Sequence, residues 1–127
     1  MGRIPGDVLM TNNMYVNVPR RGRVLSSKAK AWKVAAEKSL ALFLPRPYSP
    51  ISGAARLRLQ LTFCGRWENK QGGPLKKDVD GGIKAVQDTL CAVLGIDDRQ
   101  IYSVSAWKVH TLPTSAHIAV TLSEFDL

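Results

Sequence analysis

Cysteine and histidine are scarce in this chain, aromatic side chains are few, and acids are outnumbered. The two cysteines, Cys64 and Cys91, lie far apart in apolar-patterned segments. That excludes a disulfide framework and predicts two reduced thiols in the core. His110 and His117 lack the spacing of paired metal ligands, so they offer no zinc site. The longest clean apolar run, Leu40 to Leu44, is far too short to span a bilayer. The opening Met1-Gly-Arg-Ile-Pro-Gly-Asp has no apolar stretch behind its charge, unlike a secretory leader. These absences predict a cytoplasmic protein.

What is plentiful is positive charge. Lysine and arginine number 18 against 10 acids, for a net charge of +8. Such a surface attracts polyanions. A long basic amphipathic helix with exposed aromatics, the mark of a membrane-surface binder, is not seen, so nucleic acid is the expected partner. With 127 residues, 45% of them hydrophobic, the chain is predicted to be a single domain over 1–127 with a full core.

Local patterns predict the elements. The residues through Tyr15 read as a loop entering a short strand, followed by the basic turn Pro19-Arg20-Arg21-Gly22-Arg23. Ser26 or Ser27 is placed to cap a helix running to about Leu44, with Ala29, Trp32, Ala36, Leu40 and Phe43 as its buried stripe. Pro45 and Pro47 end it. Residues 55–64 alternate, with Leu57, Leu59, Leu61 and Phe63 on one side and Arg56, Arg58, Gln60 and Thr62 on the other, as in a half-buried strand. Gly65 to Pro74 reads as a mobile loop. Ile83, Val86, Leu90, Val93 and Leu94 return to helical spacing, and Gly95 suits the left-handed position after a helix. Two strands follow near 101–111 and 117–124. The sum is an α+β fold, a small mixed sheet with two main helices packed on one face.

Against this basic background one acidic island stands out: Lys77-Asp78-Val79-Asp80-Gly81-Gly82-Ile83-Lys84, followed by Asp97-Asp98. Two residues apart in extended chain, Asp78 and Asp80 project from one face. Lys84 lies one helical turn beyond Asp80, and Asp88 extends that row. Carboxylates from a strand end, a helix start and the next strand are expected to meet. Hard oxygen donors of this kind suit magnesium, which activates water and clamps a phosphate in phosphodiester hydrolysis. A lysine adds fixed positive charge for the transition state. A plainer reading of the same residues stays open: Asp80 as a helix cap, Lys84 as its ion pair, and Asp97-Asp98 as a turn. Asp97 and Asp98 are equal candidates on spacing alone.

Three blocks in order resemble the RusA family of Holliday-junction resolvases: Thr11-Asn12-Asn13-Met14-Tyr15 with its basic turn, Lys77-Asp78-Val79-Asp80 with Lys84, and Leu94-Gly95-Ile96-Asp97-Asp98-Arg99-Gln100-Ile101. The resemblance implies a homodimeric, magnesium-dependent endodeoxyribonuclease, with manganese as a possible substitute, that resolves four-way DNA junctions by paired symmetric nicks. It implies a catalytic set of Asp78, Asp80, Lys84 and Asp98, the three acids being the metal ligands. Asn12, Asn13 and Tyr15 with Arg20, Arg21, Arg23 and Lys28 on one side, and Arg66, Lys70, Lys76 and Lys77 on the other, are the expected DNA contacts. Tyr15 or Trp67 is a candidate stacking platform for an unpaired base. Gly81 stands where relatives commonly carry asparagine, and Gln87 where an aromatic residue has been linked to junction distortion. The competing readings are a non-catalytic basic binding module and a nuclease for other branched DNA such as flaps.

Overall fold

The structure, a computed structural model, describes residues 2–6, 15–18, 22–45, 47–75 and 79–126. Serine begins the first helix as expected. The Ser26 hydroxyl accepts the Ala29 amide hydrogen at 3.1 Å, and α1 runs over Ser27–Ala41. A helix needs such an acceptor because its first amides have no internal partner. Ala29, Ala36 and Leu40 are buried, Trp32 only partly, and Phe43 lies past the helix end and is half exposed. The second helix, α2, covers Asp80–Leu94 and ends at Gly95, whose φ of 70° and ψ of 33° place it in the left-handed region.

The described residues also form six strands: β1 (Gly2–Pro5), β2 (Tyr15–Val18), β3 (Gly22–Leu25), β4 (Leu57–Gly65), β5 (Ile101–His110) and β6 (His117–Glu124). β2 and β3 form an antiparallel ribbon of their own, and the other four make one sheet in the order β1-β6-β4-β5. β1 and β3 depart from the sequence reading, which held a loop at the start and only a turn after Tyr15. Each is four residues long and includes a glycine, so neither carries enough alternation to register.

The sheet is mixed. β6 runs antiparallel to both neighbours, whereas β4 and β5 are parallel and joined through α2. Leu59, Leu61 and Phe63 of β4, Ile118 and Val120 of β6 and Ile4 of β1 meet Ala36 and Leu40 of α1 and Val86, Leu90 and Leu94 of α2 in one core. Both helices therefore lie on the same face of the sheet, and the alternate residues of its strands look outward. Cys64 and Cys91 are both buried and unpaired, as expected. No helix is long and apolar enough to cross a membrane among the described residues.

Trp67 is not a stacking platform. It is 4% exposed, its indole N–H donates to the Phe63 carbonyl at 2.7 Å, and its ring meets Phe63 edge to face. The loop after β4 is also more ordered than its composition implied. Asn69 pins it, with a side-chain oxygen that accepts the Gln71 and Gly73 amides at 3.0 and 2.8 Å, while Leu75 N–H donates to the Trp67 carbonyl. This is an Asx-type turn, in which a short polar side chain substitutes for a backbone partner.

Candidate active site

The connection β4–α2–β5 decides where the acids go. A parallel pair requires its crossover to travel the full length of the sheet. α2 therefore starts at the Gly65 and His110 end and finishes at the Leu57 and Ile101 end. Asp80 is the first residue of α2, and Asp97-Asp98 lie just beyond its last turn. The 15 residues between those ends span about 22 Å at 1.5 Å per residue. Within one chain, then, Asp80 and Asp98 do not meet. No group of three metal-ligating side chains occurs among the described residues. Asp78 lies outside the described residues, as do Lys76 and Lys77.

At the first end Asp80 is exposed and is not the helix cap. Val79 occupies that position, with no side-chain capping bond. Gly82 is buried against the interior, while Gly81 remains partly accessible beside Asp80. Lys84 does lie in the predicted row, but its ammonium faces the other neighbour, Asp88, at 3.3 Å. Both partners are solvent-exposed, so this pair contributes little and exchanges readily. Arg66 and Lys70 are exposed in the loop that leaves β4 at this same end. The C-terminal turns of the two helices meet around Leu40, Phe43, Leu90 and Leu94, which sets Lys28, in the exposed first turn of α1, toward the Asp80 end. Asn12, Asn13, Arg20 and Arg21 lie outside the described residues, and so do the side chains of Tyr15 and Arg23.

The second end is built differently. Asp98–Gln100 form a single 3-10 turn, and Asp97 caps it by accepting the Arg99 amide at 3.0 Å. Gln100 answers with its side-chain oxygen, which accepts the Asp97 amide at 3.1 Å, completing a capping box. The amide nitrogen of Gln100 donates to the carbonyls of Ser52 and Ala55 at 2.9 and 3.2 Å. One buried side chain thus ties the acidic turn to the segment entering β4. Sequence reasoning passed over Gln100; the signal was a glutamine three residues after an aspartate.

Electrostatics separates the two neighbouring acids. The Arg99 amide hydrogen bond, then a side-chain hydrogen bond with Asp98 and the Arg99 charge, hold the Asp97 carboxyl below the usual carboxylate range. Burial pushes the Cys91 thiol up, and the charges of Asp98, Asp88 and Asp97 push it further. A thiol surrounded in this way stays protonated and unreactive at neutral pH. Asp97 accepts the hydrogen bond that caps the turn, while Asp98, exposed like Asp97, is not the cap.

A basic α+β domain with exposed carboxylates at both ends of its crossover helix has the makings of a phosphodiester-cutting enzyme. The comparison with protein families gives that class its family: residues 5–122 match endodeoxyribonuclease RusA, and the chain belongs to this family of Holliday-junction resolvases, which generally depend on divalent metal. No curated protein matches the chain.

Proposed function

We propose that this chain is a magnesium-dependent endonuclease that nicks four-way DNA junctions in symmetric pairs. It acts as a homodimer in which each centre takes Asp78 and Asp80 from one copy and Asp98 from the other. The observation that carries this reading is the division of the acidic set between opposite ends of α2. β5 supplies a route to the dimer. It is a ten-residue edge strand with Trp107 and Val109 exposed at 47% and 39%. Such an edge is a template for another strand. Antiparallel pairing of β5 with its copy about a twofold axis sets one chain's Ile101 end beside the other's His110 end. The partner's Asp98 turn then approaches the end where α2 begins. A twofold enzyme also matches a twofold junction with two equivalent cuts.

The donors suit a hard dication: they are carboxylate oxygens, exposed at Asp80 and Asp98, and neither residue is used as a helix cap. Asp78, Asp80 and Asp98 would hold magnesium, or manganese in its place, which supplies an activated water and offsets charge on the scissile phosphate. Lys84 leaves Asp88 and turns its ammonium to the charge that develops at the phosphate. Lys28, Arg66 and Lys70, with Lys76, Lys77, Asn12, Asn13, Tyr15, Arg20, Arg21 and Arg23, bind the phosphate backbone and orient the arms.

The test is cleavage of a four-way junction, a flap and a plain duplex in magnesium. Paired nicks on the junction are expected, and Asp80→Asn should remove them while leaving junction binding intact or tighter, because a charge that repels phosphate is gone. Junction binding without cutting, in magnesium and in manganese alike, would make the chain a binding module.

A further inference from the structure

We propose that Arg56, Arg58 and Tyr102 form a seat for one DNA strand at the branch point, on the outward face of the sheet beside the Asp98 turn. This rests on the nuclease reading, which it supplies with a path for the strand at its second acidic end.

Three observations converge there. First, the pairing of β4 with β5 slips between Leu57, opposite Ile101, and Arg58, opposite Ser103, so Tyr102 is the extra residue of a bulge. Bulges re-aim a side chain, often beside an active site. Here the bulge turns Tyr102 onto the face that carries the arginines and leaves it 58% exposed. Second, each arginine lies over an aromatic ring. The Arg56 guanidinium lies 5.5 Å over the Tyr102 ring and that of Arg58 lies 5.5 Å over Phe125, while the two rings sit 5.8 Å apart. The Phe125 amide donates to the Arg56 carbonyl at 2.8 Å, fixing the pair of strands beneath them. Third, neither arginine meets a carboxylate among the described residues, where the ion pairs are those of Lys84, Arg99 and His110.

A guanidinium that lies over a ring and meets no carboxylate keeps its planar fork of donors for phosphate oxygens. The free part of the Tyr102 ring offers a surface on which an unpaired base stacks. A shallow depression lined by Ala54, Arg56, Arg99, Gln100 and Tyr102 links this seat directly to the turn that presents Asp98. Paired duplex keeps its bases inside and uses only the arginines. A branch point, where bases come free, uses the ring as well.

The experiment measures binding in EDTA, where cutting is absent, to a four-way junction and to a duplex of equal length over a series of salt concentrations. For the double variant Arg56→Gln/Arg58→Gln, junction affinity should fall and the plot of log affinity against log salt should become shallower by about 1.5, or roughly 0.7 to 0.9 for each phosphate no longer neutralised. Tyr102→Ala should weaken junction binding about tenfold and duplex binding much less. Arg56→Lys/Arg58→Lys should keep the wild-type slope, since charge is retained. A salt slope unchanged in the glutamine variant, with its thermal unfolding also unchanged, would show that the arginines only cover the rings and would overturn the seat. Such a result leaves magnesium-dependent cutting by the wild type untouched, so the two failures are distinguishable.

Discussion

The two ends of α2 carry the same kind of residue in opposite circumstances. At the N-terminal end Asp80 stands exposed in the first turn, with no capping side chain at Val79 and glycines behind it. At the C-terminal end Asp97 is drawn into a capping box, and a buried glutamine ties the turn to the chain before β4. A carboxylate near a helix N-terminus is stabilising through the helix dipole whatever else it does, so sequence position alone does not reveal its role. Local hydrogen bonding shows which acid does structural work: at the second end Asp97 caps the turn and Asp98 does not.

The comparison breaks most sharply if the two ends do not cooperate. Asp80→Asn and Asp98→Asn should each lower junction cutting by at least about a hundredfold, the scale for losing a group that stabilises developing charge. Mixing the two inactive proteins tests the shared centre. In a mixed dimer one centre collects both lesions and the other neither, so single-strand nicking should return. If each chain holds its own centre, the mixture stays inactive.

A second measurement sharpens the clamp. Gln100→Ala removes three part-buried hydrogen bonds, leaving two carbonyls and an amide without that partner. It should cost about 2 kcal/mol, visible as a fall of several degrees in Tm. Because the turn is released, cutting should fall too. Asp97→Ala should give a smaller fall in Tm and, unlike Asp98→Asn, retain measurable cutting. Asp97→Asn should preserve the cap, since asparagine accepts the same hydrogen bond.

The smallest effect concerns acid. The Asp97 carboxyl is held below its ordinary value of 3.8, chiefly by the Arg99 amide. Its contribution to stability is therefore fully present above that value and is lost as pH falls through the depressed one. The stability difference between wild type and Asp97→Asn should shrink below about pH 3.8 and stay constant above it, as denaturant titrations at several pH values would show.

Much of the fold was legible in the sequence. The alternation of Leu57, Leu59, Leu61 and Phe63, the serine before α1 and the glycine after α2 each report a local physical requirement, and each falls where the structure has it. Short edge elements escaped because four residues do not establish a period. The meeting of Asp80 with Asp98 in one chain was expected and is not found, although the periodicity that marks α2 already implies its length. Side-chain identity shows what a residue can ligate, whereas only the path of the crossover shows which residues share an end. The preference for Asp98 over Asp97 rests on the family resemblance; the capping box shows that Asp97 is the acid that caps the turn.

The position of β1 has a consequence for how the chain folds. Among the described residues its one partner in the sheet is β6, and Arg3 reaches His117 across a separation of 114 residues. β6 also lies between β1 and β4, so the sheet has no middle until the end of the chain arrives. Closing so large a loop carries an entropic cost that local contacts do not share, and such topologies fold slowly. On the ribosome, the first strand made waits for the last strand, and the core closes only after residues near 120 have emerged.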